Sequence, residues 1–258
     1  VGSVSHSGTS TTIRIAGGWV RDKLLHLASD DIDVALDDCS GLEFAERINA
    51  YLRHLDQEVH SIGVIEANPD QSKHLETATI KVKGIFIDCV NLRSEKYADD
   101  SRIPDIRCGT PLEDAMRRDF TLNSLFYNAT TATVEDFTDK GLADLHNGII
   151  RTPMEPTQTF LDDPLRVLRA IRFAARYNFK LDQALVDAAS TERIREALTV
   201  KVSRERILKE LDKMLGISGY NESSSRPALA LVIIHQLGLF PSIFSLPSPL
   251  GFVRYAGT

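Results

Sequence analysis

Cysteine is scarce. Cys39, Cys89 and Cys108 are the chain's three, and none stands in a Cys-x-x-Cys pair, so neither a disulfide framework nor a thiolate zinc cluster is indicated. That usage fits a reducing compartment. Long apolar runs are missing too: no stretch approaches the ~18 apolar residues that a membrane span requires. Positive charge is in the minority, with 30 Lys and Arg against 36 Asp and Glu and a formal net charge of −6, which argues against binding duplex nucleic acid over the whole surface. The first twelve residues are rich in Ser and Thr but lack the Arg-bearing amphipathic pattern of a transit peptide and the apolar stretch of a signal peptide. The expected location is intracellular, with no organelle address and no oligomeric state legible.

What is present is ordinary in amount and uneven in placement. At 258 residues, 43% hydrophobic and 26% charged, the chain suits a soluble globular protein of one or two domains. Lys and Arg accumulate from Arg166 to Lys213 while the preceding part is richer in acid, so a local patch can meet phosphates despite the negative total.

Periodicity predicts a short buried strand over Ile13–Ala16, a turn at Gly17-Gly18 and a helix over Trp19–Leu27. Asp31–Leu36 alternates, with Ile32, Val34 and Leu36 on one face and Asp31 and Asp33 on the other, which predicts a half-buried strand. Leu42–Leu55 has the spacing of an amphipathic helix, with Leu42, Ala45, Ile48, Leu52 and Leu55 toward the core. A loop is expected around Asn68-Pro69-Asp70. Two alternating runs separated by Gly84, Thr77–Lys83 and Ile85–Leu92, predict a hairpin. A helix over Ala115–Asn128, a strand over Thr133–Phe137 and a turn followed by a strand over Asp144–Arg151 complete an α/β head. From Asp162 onward the pattern is helical, with a loop over Gly216–Pro227 and a buried helix over Ala228–Phe240, and the boundary falls near 140 to 155.

Three constellations carry chemistry. Glycines at a strand-to-helix turn let backbone N–H groups approach a phosphate, with Arg21 in the first turn. On the next strand Asp31 and Asp33 point the same way, and paired carboxylates suit hard Mg²⁺. Taken singly, a Gly-Gly is a turn and two strand aspartates are a solvated face. Asp88 sits between inward-facing Ile87 and Cys89, and the alternation leaves it either a third carboxylate of the site or a solvated edge residue. The string Arg117-Arg118-Asp119-Phe120-Thr121-Leu122-Asn123 follows, with Arg118 and Asp119 on the polar side of the expected helix, where Arg118 could equally be a surface ion pair with Asp114. Last, Asp162-Asp163-Pro164-Leu165-Arg166 opens a helix whose Val167, Leu168, Ile171, Ala174 and Ala175 share one face. Arg166, Arg169, Arg172 and Arg176 fill the neighbouring stripe and repel one another unless something anionic lies along them; a solvated basic face is the plainer alternative.

Gly-Gly, a spacer, then Asp-x-Asp flanked by Val and Leu resembles the signature of the DNA polymerase beta nucleotidyltransferase superfamily. The Arg-Arg-Asp-Phe-Thr-Leu-Asn string resembles the second motif of the class II CCA-adding and bacterial poly(A) polymerase family. Asp162-Asp163-x-x-Arg166 resembles that family's nucleotide-selecting motif, with Asp162 in place of the usual Glu. Leu142–Arg151, with Asp144, Gly148 and Arg151, resembles its connecting motif, and Ser203-Arg204-Glu205-Arg206 its later helix-stabilising motif, which from the residues alone is an N-capped basic helix. The wording of Asn68–Lys73 and Ser101–Pro104 is similar to eukaryotic members. These motifs occur in the family's order from Ile13 to about Leu215.

The resemblance implies an α+β fold: a nucleotidyltransferase head with a mixed β-sheet and flanking helices over 1–140, an all-helical neck over 141–215 and the start of a helical body over 216–258. It implies Mg²⁺ held by Asp31 and Asp33, with Asp88 as a third catalytic carboxylate. It further implies that Gly17, Gly18, Arg21 and Arg118 hold a triphosphate, Asp119 and Asn123 the ribose region, and Asp163 with Arg166 the base, supported by Arg169 and Arg172. CTP, ATP and the 3′ end of transfer RNA are the implied partners, with no membrane, and cytoplasm, nucleus or mitochondrion are the implied compartments for a eukaryotic member. Full CCA addition, CC-only or A-only addition and poly(A) synthesis share all of these motifs, while a silent RNA-binding module would have lost Asp31 or Asp33.

Overall fold

The computed structural model describes residues 11–65, 77–96, 105–217 and 226–244. The expected loop at Asn68–Asp70, the Asn68–Lys73 and Ser101–Pro104 stretches and most of Gly216–Pro227 lie outside the described residues. The chain divides into two compact units, Val1–Glu155 and Pro156–Thr258.

The first unit is built on a seven-stranded sheet of order β3-β4-β5-β2-β1-β8-β9. Its strands are β1 (Ile13–Ala16), β2 (Ile32–Leu36), β3 (Gly63–Ile65), β4 (Thr77–Val82), β5 (Ile85–Asn91), β8 (Phe126–Asn128) and β9 (Thr133–Glu135), while β6 (Arg93–Lys96) and β7 (Asp105–Cys108) form a separate antiparallel pair. β2 and β5 run parallel and the other pairings of the large sheet are antiparallel. The β4–β5 hairpin forms as the alternation predicts, turning through Lys83 (φ 51°) and Gly84 (φ 87°). Positive φ at both central residues is the turn whose twist matches paired strands.

The sheet is covered on both faces. Val34, Leu36, Ala78, Ile80 and Cys89 pack with Phe44 and Ala45 of helix α2 (Gly41–His54). Behind them Ala16, Ala35, Leu92, Ala115 and Phe126 form a second core. β2 is therefore half-buried only at its aspartate end, because Ala35 is as buried as Leu36. In α2, Phe44 and Asn49 join the core and Leu55 is exposed, shifting the buried stripe from the predicted one.

Several boundaries in this unit differ from expectation. Helix α1 is shorter, Gly18–Leu24. The predicted helix over Ala115–Asn128 is instead helix α3 (Pro111–Met116), a turn, one 3₁₀ turn (Thr121–Asn123) and β8. α3 starts on a capping box between Thr110 and Glu113 with Pro111 in its first turn. It ends at Arg117, and extended Phe120 (φ −137°, ψ 149°) turns the chain toward pairing with β1. The predicted turn at Asp144 is helix α4 (Gly141–Asn147), stopped by left-handed Gly148.

The second unit is helical: α5 (Pro156–Asp162), α6 (Leu165–Tyr177), α7 (Gln183–Ala189), α8 (Glu192–Lys201), α9 (Arg204–Leu215), α10 (Pro227–Gln236) and α11 (Phe240–Phe244). The apolar face read for α6 is buried, together with Ala170 and Phe173. The predicted Ala228–Phe240 helix breaks at Gly238 (φ 67°), so Phe240 begins α11, and Val232 stays half exposed.

Gly41 opens α2 directly against β5, where a Cβ would overlap the Cys89 carbonyl oxygen. Gly41→Ala is expected to destabilise the first unit by about 1–3 kcal/mol, read as a lowered denaturation midpoint, because neither backbone can yield in a close-packed core. An unchanged midpoint would contradict this packing.

Candidate active site

The parallel register of β2 and β5 sets Asp33 directly beside Asp88, and Asp31 lies two residues earlier on the same face of the strand. One carboxylate oxygen from each of Asp31, Asp33 and Asp88 lies within 4.8 Å of the others. Thr79, opposite Asp88 on β4, donates its hydroxyl to Asp88 Oδ1 at 2.6 Å and so fixes that carboxylate. Asp88 is thus not a solvated edge residue; it faces the other two. Burial, then the charge of Asp31, pushes the Asp33 carboxyl up to about 6, with Arg118 opposing and Asp88 adding to the rise. Three hard oxygen donors crowded in this way can hold a metal ion, and a divalent cation would relieve the repulsion that raises Asp33.

The next strand delivers the second group. Ala16 pairs with Asp33, and the chain then turns at Gly17 (φ 69°) into α1. A Cβ on Gly17 would stand 2.6 Å from Arg118 Nη1, so glycine here serves both the backbone angle and the passage of the guanidinium. Arg118 lies over the Phe126 ring, 5.1 Å from its centroid, donates to the Asn123 carbonyl at 3.2 Å and grips Asp114 through Nε and Nη2 at 3.0 and 2.8 Å. Arg21 is only 5% exposed; it ion-pairs with Asp22 at 2.8 Å and donates to the Asn123 side-chain oxygen. Asn123 in turn donates to Asp119 Oδ1 at 2.9 Å, which also accepts the Phe120 N–H. Arg21, Asn123 and Asp119 therefore form one buried relay beside Arg118.

Asp114 anchors this corner. It is 1% exposed and receives Arg117, Arg118 and the Arg93 N–H. Burial pushes its carboxyl up, but Arg118 and Arg117 outweigh that and hold it below the ordinary carboxylate range. The i,i+4 spacing to Arg118 is legible in the sequence as a surface pair; its burial is not. The connecting stretch closes over the same segment, for Thr121 donates its hydroxyl to Asp144 at 2.8 Å, Arg151 pairs with Asp144 at 3.1 Å, and the Thr121 N–H reaches the Arg151 carbonyl.

In the helical unit Asp163 accepts the Leu165 N–H at 3.3 Å, and Arg206 of α9 binds both of its oxygens at 3.2 and 2.8 Å. Ser203 caps α9 as expected. Of the arginine stripe, Arg172 is buried and donates to Glu210 at 2.8 Å, and Arg169 lies 3.7 Å from the same carboxylate. Buried Glu210 is the anion that Arg172 and Arg169 meet. Arg166 is half-buried on the adjacent turn. Neither Glu210 nor the Asp163–Arg206 pair is readable from sequence, since the partners are 38 and 43 residues apart.

Residues 13–151, more than half of the chain, match the poly A polymerase head domain family. The chain belongs to that family. It is 49% identical over 257 residues to the mitochondrial CCA tRNA nucleotidyltransferase of Candida glabrata, covering 98% of this chain and 47% of the relative. It is 51% identical over 234 residues to the tRNA nucleotidyltransferase cca1 of Schizosaccharomyces pombe, covering 90% and 45%. Among solved structures, a CCA-adding enzyme in an apo form superposes with a TM-score of 0.71 at 29% identity, covering 91% of this chain and 50% of that one. The chain thus spans about half the length of these relatives. The family match ends at Arg151, so the Asp163 and Arg166 pair lies outside it. No helix among the described residues is long and apolar enough to cross a membrane.

The crowding of this head-domain carboxylate cluster has a thermodynamic signature. Because Asp33 rises from 3.8 to about 6 on folding, its ionised form disfavours the folded state above pH ~6, and that penalty disappears as pH falls below the unfolded value. Asp33→Asn is expected to raise the melting temperature of chelator-treated protein at pH 8 by about 5 °C, from about 1.5–3 kcal/mol. At pH 3, below the unfolded value, the two proteins should melt together. Equal melting at pH 8 would remove the electrostatic account.

Proposed function

We propose that this chain carries the catalytic head and base-selecting helices of a template-independent nucleotidyltransferase. Its reaction is the addition of CMP, CMP and AMP to the 3′ end of transfer RNA from CTP and ATP, with release of pyrophosphate. The observation that carries the reading is the convergence of Asp31, Asp33 and Asp88 one strand from the Gly17–Arg118 corner, and the names of the half-matched relatives support it. The working division is head 1–140, neck 141–215 and body from 216. The fungal relative's name makes the mitochondrion one intracellular site to consider.

Asp31 and Asp33 would hold Mg²⁺, with Asp88 completing the set; the bound ion supplies charge neutralisation at the phosphates and a more acidic acceptor hydroxyl. The Gly17-Gly18 turn would bring backbone close to the phosphate oxygens, and Arg118, fixed by Asp114, would set a guanidinium beside them. Arg21 holds Asn123 and Asp119 in place for the ribose region. The RNA 3′-oxygen attacks the α-phosphorus and gives up its proton to solvent, and the bond to the pyrophosphate oxygen breaks in line. Asp163 and Arg166 present an acceptor beside a donor, the complement of the amino group and ring nitrogen shared by cytosine and adenine, while Arg169 and Arg172 support that helix.

With CTP and ATP and a transfer RNA lacking its CCA end, products resolved to single nucleotides should show three additions in the order C, C, A. Asp33→Ala should abolish them. Only C, only A or a run of A would reassign the chain within the family, and activity persisting in Asp33→Ala would end the metal role. Arg166→Ala is expected to lower the ratio of kcat/KM for CTP over UTP at least about tenfold, since a site built to pair a base edge discriminates through unpaired groups. A ratio within about twofold of the parent would return the arginine to backbone or phosphate binding.

A further inference from the structure

The sheet face that carries Asp33 and Asp88 continues along β4 and β5 toward the hairpin tip. Side chains repeat every two residues, so Phe86 shares the face of Asp88, and the antiparallel register puts Lys81 beside Phe86 as it puts Thr79 beside Asp88. Ile32 pairs with Ile87, and continuing that register by one residue sets Phe86 level with Asp31. Phe86 is 61% exposed, whereas Phe44, Phe120, Phe126, Phe160 and Phe173 are buried. The Lys81 ammonium lies 5.4 Å from the Phe86 ring centroid. An exposed aromatic ring with a cation beside it, on the carboxylate face, has no role in either core.

Sheet order supplies the direction. β2 lies between β5 and β1. On the β1 side stand Gly17 and Arg118, the groups suited to a triphosphate; on the β5 side stand Phe86 and Lys81. In an in-line displacement the attacking and leaving oxygens occupy opposite sides of the phosphorus. The attacking hydroxyl, and the strand that ends in it, therefore approaches from the β5 side.

We propose that Phe86 and Lys81 form a platform for the 3′ end of the acceptor RNA, with Phe86 stacking on a terminal nucleobase and Lys81 meeting the adjacent phosphate. The inference rests on the nucleotidyltransferase reading above and adds the acceptor side of the site. Base–aromatic stacking tolerates any base because every base has a π-face, and that suits an acceptor whose last base changes with each addition.

The test uses a fluorescently labelled transfer RNA lacking its CCA end, with binding read by anisotropy in the absence of nucleotide. Phe86→Ala should weaken RNA binding by about tenfold and Phe86→Trp should restore it, with melting temperature unchanged and KM for CTP within twofold. Lys81→Met should flatten the slope of log Kd against log salt by about one, and Phe86→Ala should leave that slope alone. If the parent extends the RNA while Phe86→Ala binds it within twofold of the parent, the platform is overturned and the nucleotidyltransferase reading stands. If the parent neither binds nor extends the RNA, both fall.

Discussion

Holding three carboxylates with oxygens inside 4.8 Å of one another is the constraint around which the head is arranged. Two like charges at that separation repel by roughly 3 kcal/mol at an effective dielectric of 20, so an isolated loop would let them drift apart. A parallel strand pair cannot. β2 and β5 are locked by packing on both faces, Val34 and Cys89 into one core and Ala35 into the other, and a one-residue slip would bury Asp33 while exposing Val34. The apolar ends of the strands thus hold the polar ends in an arrangement they would not choose, and the Asp33 carboxyl is raised first by burial and then by its charged neighbour Asp31.

The neighbouring corner follows the opposite logic. Asp114, Arg117, Arg118 and Glu95 are buried or nearly so and joined by short ion pairs. Removing charges from water is costly, and such pairs add little net stability compared with an apolar core. What they fix is geometry: Arg118 has two bonds to Asp114, one to the Asn123 carbonyl and a ring beneath it. In the proposed reaction a guanidinium held this way needs no reorganisation when charge develops beside it.

Legibility in the sequence tracked the range of the interactions. The β4–β5 hairpin and the carboxylate face of β2 were readable because alternation and the Lys83-Gly84 turn are local. The helix expected over Ala115–Asn128 was misplaced because Phe126 pairs with Ala16, more than a hundred residues away in sequence. Asp88 was ambiguous until the β2–β5 register decided which carboxylate it faced. The basic stripe was visible at helical spacing, yet Glu210, the anion that two of its arginines meet, sits on α9 and only tertiary packing brings it to Arg172.

In the reading proposed above Asp163 meets the base edge, and the helical unit fixes how that carboxylate is presented. An ionised carboxylate has about four acceptor sites. Asp163 gives two of them to Arg206 and a third to the Leu165 N–H. What remains is about one acceptor, on a group that can no longer swing. A free aspartate would turn to meet whatever donor arrived and would discriminate weakly. A clamped one accepts an amino hydrogen from one direction and leaves a carbonyl oxygen in that place facing negative charge, which is the asymmetry that preference for cytosine and adenine over uracil and guanine requires. In that reading Arg206 bears on selectivity through Asp163, whose two oxygens it holds.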